Sequence, residues 1–245
     1  MKSVQVLMPM AGSGSRFRGA GYGVPKPLID VAGMPMFTRS FSSLDGLEVS
    51  REVVAIIRRQ DDQKHGFGAR IRGAVPTREV VLLDAPTRGA VETCLQAKSW
   101  VDSEEPLIVL DCDLYFGARE YFKAIRSLAA SVSGDTGALV YFRSELSCYS
   151  FLEEKNGQVI RTAEKVRISD RAIAGCYFFS SGALFLSLAH ELLARSAPSG
   201  VAEYYVSALF NLLIARGGKV VAAPADLHHS YGTPEDLELS LKVGG

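Results

Sequence analysis

Apolar residues in the first half of the chain fall in short runs separated by longer stretches of helical spacing. Val4 to Met10, Glu52 to Ile57, Glu79 to Leu83 and Pro106 to Leu110 are β-branched or Leu-rich segments of strand length. Between them Met36, Phe37, Ser40, Phe41 and Leu44 recur at i, i+1, i+4, i+5 and i+8 behind Pro35, a good first-turn residue. Tyr121, Phe122, Ile125, Leu128 and Ala129 repeat that stripe. Strands that are apolar throughout need cover on both faces, so the alternation predicts a buried, largely parallel sheet with helices packed on it.

The pattern changes at about Gly137. Gly137 to Phe142, Ser150 to Glu153, Val159 to Glu164 and Ala172 to Phe179 are strand-like, and Asn156-Gly157 is a hairpin signal between the middle two. Helices are predicted over Ala183 to Ala194 and Val201 to Ala215, where Tyr204, Tyr205, Ala208, Leu209, Leu212 and Leu213 share one apolar face. A strand at Lys219 to Ala223 and a last helix from Pro234 follow. Without repeats, low-complexity tracts or a Pro/Ser linker, the expectation is one continuous α/β unit over residues 1–245 whose later strands extend the same sheet and frame a cleft.

Composition narrows the function classes. With 245 residues, 27 Lys plus Arg against 27 Asp plus Glu, and 47% hydrophobic residues, the chain is neither disordered nor fibrous. Zero net charge supplies no long-range field for nucleic acid or an anionic membrane, so neither is expected as a partner and any anion site must be local. Cys94, Cys112, Cys148 and Cys176 form no C-x-x-C pair, as expected of buried thiols in a reducing cytosol. The opening apolar run is too short for a signal-peptide core with a cleavage site, and no apolar stretch approaches ~20 residues, so a cytoplasmic location is expected.

The local cluster of charge is at the first strand end. Residues 1–29 contain Lys2, Arg16, Arg18 and Lys26, and the first acidic residue is Asp30. Ala11-Gly12-Ser13-Gly14 follows the strand, where an α/β fold places ligands, and Gly12 and Gly14 let backbone N–H groups approach phosphate oxygens. The dinucleotide fingerprint fails at Phe17, which holds the third glycine position, and the P-loop pattern fails at Ala20, which replaces its Lys. Lys26 stands between Pro25 and Pro27, which restrict the backbone on either side and fix where the ammonium points. Asp111-Cys112-Asp113 ends another strand. Paired carboxylates there suit Mg²⁺, which takes one or two carboxylates with water and substrate phosphates.

Together these residues resemble the nucleotidylyltransferase family that activates sugar phosphates. Gly12-Ser-Gly-Ser-Arg16-Phe17 and Pro25-Lys26-Pro27-Leu28 match its N-terminal signature. Thr87-Arg-Gly-Ala90, Leu110-Asp-Cys-Asp113, Glu164-Lys165, Ala174-Gly-Cys-Tyr-Phe-Phe179 and Gly232-Thr-Pro-Glu-Asp-Leu237 follow in family order. The resemblance implies a Rossmann-like mixed sheet with helices on both faces, the GT-A-like nucleotide-diphospho-sugar transferase fold, with a nucleotide half over 1–136 and an acceptor half over 137–245. It implies that Arg16 and Lys26 are catalytic, that Ala11, Gly12, Gly14, Arg88 and Gly89 contact the nucleotide, and that Lys165 and Gly175 contact the acceptor. Asp113 takes the metal position, with Asp111 beside it. The partners implied are an NTP and a small phosphorylated acceptor, with Mg²⁺ as cofactor, in a monomer or homodimer.

Two departures bear on substrate and metal. The family's second metal Asp is replaced by Ser230, so Asp111, Asp226 or His229 completes the site, or Mg²⁺ arrives mainly through the triphosphate. Tyr149-Ser-Phe-Leu152 and Glu164-Lys165-Val166 differ from the motifs of many hexose-phosphate enzymes, which favours CTP and leaves the acceptor open. Alternatives are a D-x-D glycosyltransferase using an NDP-sugar and a nucleotide-binding regulator that has lost catalysis.

Overall fold

A computed structural model describes residues 3–130, 134–195 and 203–243. In chain order the strands are β1 (Ser3–Pro9), β2 (Asp30–Val31), β3 (Met34–Pro35), β4 (Ser50–Arg58), β5 (Thr77–Leu83), β6 (Leu107–Leu110) and β7 (Leu114–Gly117). They continue as β8 (Thr136–Arg143), β9 (Ser150–Lys155), β10 (Gln158–Glu164), β11 (Arg171–Phe179), β12 (Lys219–Pro224) and β13 (Leu227–Ser230). The helices are α1 (Ser15–Gly19), α2 (Met36–Ser42), α3 (Arg59–His65), α4 (Phe67–Ala74) and α5 (Ala90–Leu95). After them come α6 (Lys98–Val101), α7 (Arg119–Ala130), α8 (Gly182–Ala194), α9 (Ser207–Ala215) and α10 (Pro234–Val243).

Among the described residues nine strands form one mixed sheet in the order β10-β9-β11-β6-β1-β4-β5, with β8 on β11 and β12 on β8. β1 runs parallel to both β4 and β6, and β4 runs parallel to β5, as all-apolar strands joined by helices require. Alternate residues of β1 enter opposite layers. Val6 and Met8 join Phe37, Phe67 and Tyr121 on one face, while Leu7 joins Val91, Phe185 and Phe210 on the other. β11 pairs antiparallel with both β6 and β8 and so carries the sheet from the first half of the chain into the second. Asn156 and Gly157 have φ of 53° and 74°, the positive pair that a two-residue hairpin turn uses, and they join β9 to β10.

The helix expected from Val201 starts only at Ser207 in the described residues, and Val201 itself lies outside them. Tyr204 uses its backbone elsewhere: its N–H donates to the Arg88 carbonyl at 2.8 Å and its carbonyl accepts from Val91 N–H at 3.1 Å. The apolar face over Tyr204 and Tyr205 therefore belongs to a segment laid against the 88–91 loop. A short ribbon pairs β7 with β13, matching His229 to Tyr115 and Ser230 to Leu114. It brings residues 228–232 beside Asp113, whose carbonyl accepts from Tyr231 N–H at 2.7 Å.

Cys94 and Cys176 are buried and Cys112 is half-buried, but Cys148 is exposed in the turn before β9, which corrects the expectation of four buried thiols. No helix among the described residues is long and apolar enough to cross a membrane.

Candidate active site

The carboxyl ends of β1 and β6 open into a cavity of about 600 Å³. Ala11, Gly12 and Gly14 form one wall, and Arg16, exposed in α1, lines the same space. Phe17, 1% exposed, anchors α1 by packing edge-on against Tyr22 at 5.2 Å between ring centroids. Its burial fixes the loop that precedes it. Lys26 opens a single 3-10 turn, and Leu28 N–H closes that turn on the Pro25 carbonyl at 2.8 Å.

The Lys26 ammonium donates to Asp113 Oδ2 at 2.6 Å and to the Gly232 carbonyl at 3.1 Å, and sits 5.3 Å from the Phe17 ring centroid. Their side chains are 17% and 31% exposed. Burial opposes the charge on Lys26, but Asp113 outweighs it and holds the lysine above its ordinary pKa. Burial likewise opposes ionisation of Asp113, and the Lys26 charge and hydrogen bond hold that carboxyl below the usual carboxylate range. Asp111 goes the other way. Burial, then repulsion from Asp113 and Glu164 against the pull of Lys26, pushes it up to about 8. The two carboxyls are therefore pushed apart, Asp113 toward its ionised form and Asp111 toward its protonated one.

Gly175 makes room for Asp111. It lies in β11 with φ +67°, and a Cβ there would come within 2.7 Å of Asp111 Oδ2 and 2.6 Å of Leu114 Cδ2. The β11–β8 register shifts between Ile173 and Tyr177, around this glycine. Gly89 has φ +118°, and a Cβ there would lie 2.6 Å from the Tyr204 nitrogen. That close approach lets the 88–91 loop clasp the segment whose Glu203 and Tyr205 line the cavity.

For a divalent cation the donor set is sparse. Among the described residues no group of three His, Cys, Asp or Glu side chains is placed to hold a metal ion. Ser230 Oγ accepts from Gly232 N–H at 3.3 Å and is hydrogen-bonded to Tyr149. Asp226, offered from sequence as a further ligand, instead caps Arg119, accepting from its backbone N–H at 2.9 Å. His229 stacks on Tyr115 with centroids 6.2 Å apart, because strand alternation turns it away from the side on which His228 and Ser230 lie. One ionised carboxylate, Asp113, still fits Mg²⁺, which takes its other ligands from phosphate oxygens and water.

His228 stacks on Phe142 at 3.8 Å between ring centroids. Burial, reinforced by His229 against the pull of Asp113, lowers it to about 4. An unfolded imidazole titrates near ~6.5, so the stability linked to neutral His228 is complete above that pH and is lost as pH falls toward about 4. His228→Phe is expected to show a smaller drop in urea midpoint between pH 7 and pH 5 than the wild type. An equal drop would assign the acid sensitivity to other groups.

Residues 7–174 match the MobA-like NTP transferase domain. The chain belongs to that family. No curated protein matches this NTP transferase. Among solved structures it is similar to the nucleoside-diphosphate-sugar pyrophosphorylase of Vibrio cholerae RC9, with 26% identity and TM-score 0.81 over 97% of this chain and 99% of the other. A Bacillus anthracis protein assigned as a glucose-1-phosphate thymidylyltransferase, in complex with sucrose, shares the fold at 16% identity and TM-score 0.75, covering 98% and 94% of the two chains. The inositol-1-phosphate CTP transferase of T. maritima shares it at 18% identity and TM-score 0.71, covering 100% and 97%.

In this NTP transferase Ala11, Gly12, Gly14, Arg16, Lys26, Gly89, Asp111 and Asp113, each singled out from sequence, all line the large cavity. Three other residues do not. Arg88 is paired with Glu92 at 2.7 Å and lies over the Tyr204 ring at 5.2 Å. Gly175 stands behind Asp111. Lys165 is exposed, with φ +54°, and its ammonium reaches the cavity only through the Tyr205 hydroxyl at 2.5 Å. The Glu164-Lys165 surface pair does not form, because the Glu164 carboxylate accepts from Ser150 and from Ser207 Oγ at 3.0 Å. Glu203 and Tyr205 went unnoticed in the sequence, where Tyr205 read as part of a helix face; the Tyr205 hydroxyl donates to Glu203.

Proposed function

We propose that this NTP transferase joins an NTP to a small phosphorylated acceptor with release of pyrophosphate. One observation supports it above the rest: the glycine loop, the Lys26 ammonium and the ionised Asp113 converge on one cavity. An acceptor phosphate oxygen attacks the α-phosphorus, and the bond from that phosphorus to the bridging oxygen breaks with the electron pair leaving on pyrophosphate. Backbone N–H groups of the Ala11–Gly14 loop face the phosphates. Lys26 and Arg16 stabilise charge on the α-phosphate and the leaving group. Mg²⁺ held by Asp113 would neutralise phosphate oxygens when bound. CTP is the nucleotide we favour, from the altered acceptor motifs at Tyr149–Leu152 and Glu164–Val166.

Lys165 and Tyr205 are assigned to the acceptor, because Tyr205 lines the cavity and Lys165, one residue past β10, donates to its hydroxyl at 2.5 Å. Lys165→Ala is expected to raise the acceptor KM and lower kcat, since the lost cation both binds and aligns the nucleophile. NTP affinity measured by calorimetry without acceptor should stay within about twofold of wild type on that division of labour. A thermal-shift comparison of NTPs in Mg²⁺ tests the nucleotide, with CTP giving the largest rise in midpoint. A larger rise with another NTP would overturn that choice.

A further inference from the structure

Lys165 has a backbone that few side chains adopt, with φ +54°, and its N–H donates to the Tyr149 carbonyl at 3.1 Å. Its ammonium lies 4.7 Å from the Tyr205 ring centroid and donates to the Tyr205 hydroxyl at 2.5 Å. An ammonium has three donors and no acceptor, whereas a phenol has a single hydrogen. Tyr205 therefore receives from Lys165 and directs its own hydrogen to Glu203, whose Oε2 accepts it. The chain has one polarity, from Lys165 through Tyr205 to Glu203. The carboxylate at its end keeps the hydroxyl lone pairs turned toward the ammonium.

The segment that carries Glu203 and Tyr205 is fixed in its turn. Tyr204, between them, donates its N–H to the Arg88 carbonyl at 2.8 Å, and its carbonyl accepts from Val91 N–H at 3.1 Å. Glu203 and Tyr205 both line the cavity, so the hydrogen-bonded chain leads from the cavity wall to Lys165. In a cavity that receives phosphates, the carboxylate of Glu203 repels the substrate's charge and so does not hold it. Its contact with Tyr205 gives it a different use. We propose that Glu203 is a positioning residue, acting through the Tyr205 hydroxyl to hold the Lys165 ammonium where an acceptor phosphate docks. The inference rests on the transferase reading for the phosphate; the hydrogen-bonded chain itself does not. Tyr205 engages one ammonium donor, which leaves two for phosphate oxygens. That hydrogen bond, with the Tyr205, Glu164 and Glu203 charges behind it, holds Lys165 above its ordinary pKa against desolvation.

The test has a labelling arm and a kinetic arm, both on the full chain. In the first, without substrate, an amine-reactive reagent attacks the unprotonated amine, and the rate at Lys165 is read by peptide mass spectrometry at one fixed pH. Tyr205→Phe and Glu203→Ala are each expected to raise that rate by about two- to fivefold, the range that one exposed charged contact supports. Combining them should add nothing to Tyr205→Phe, because Glu203 acts only through the hydroxyl. Glu203→Gln keeps an acceptor for that hydroxyl and should restore most of the wild-type rate. An unchanged rate in Glu203→Ala, additive effects in the double variant, or equal rates in Glu203→Gln and Glu203→Ala would overturn the assignment. In the kinetic arm, with whichever small phosphorylated acceptor of a panel yields the most pyrophosphate, Glu203→Ala should raise the acceptor KM by about two- to fivefold. NTP affinity by calorimetry should stay within about twofold of wild type. Weaker NTP binding with an unchanged acceptor KM would place Glu203 on the nucleotide and overturn the proposal. If the labelling pattern holds but no acceptor yields pyrophosphate, Glu203 still positions Lys165 and the transferase reading falls. Turnover with a labelling rate indifferent to Glu203 does the reverse.

Discussion

Replacing Lys26 by alanine is expected to lower turnover by about 10²–10³-fold, the loss seen when one preorganised donor to a developing negative charge is removed. The geometry gives this lysine no structural substitute. Pro25 and Pro27 set its backbone, Asp113 and the Gly232 carbonyl hold its ammonium, and it lines the cavity. The fold should survive, because Leu28 and Phe17, not Lys26, are the buried anchors of this region. NTP affinity without acceptor should also weaken, in contrast to Lys165→Ala. Wild-type turnover in a folded Lys26→Ala variant would remove Lys26 from the mechanism.

The two aspartates should separate by a comparable margin. Asp113→Asn is expected to lose about a hundredfold or more in Mg²⁺-dependent turnover, since it removes the ionised carboxylate that faces Lys26 and would hold the cation. Asp111→Asn should cost far less, because desolvation and the Asp113 charge push this carboxyl up toward its protonated form, and an amide is the near neighbour of that form in shape and charge. The measurement is initial rate against Mg²⁺ concentration for both variants. Equal losses would mean that Asp111 ionises in the working complex and shares the cation, compensating for Ser230.

The sequence exposed what local chemistry controls. β1, β4 and β6 carry apolar runs that are buried on both faces, so their place in a parallel sheet could be read directly, and the glycine loop, Lys26 and Asp113 carry their meaning in residue type and position. What stayed hidden depends on contacts between distant segments. β7 and β13 are four residues each, too short for a period to register, yet their pairing brings Ser230 and Gly232 to Asp113. Tyr205 follows helical spacing with the leucines of α9, and the backbone bonds of Tyr204 to the 88–91 loop override that spacing. Gly175 read as a contact for the acceptor from its motif, but that its vacant Cβ position accommodates Asp111 could not be read.

Pyrophosphate release measures the proposed reaction most directly. The chain, an NTP and Mg²⁺ are combined with a panel of small phosphorylated acceptors, and pyrophosphate is quantified against NTP consumed. The expected result is stoichiometric pyrophosphate that depends on the acceptor and is largely lost in Lys26→Ala. NTP binding with no pyrophosphate from any acceptor, or turnover of an NDP-sugar donor in place of the NTP, would contradict it.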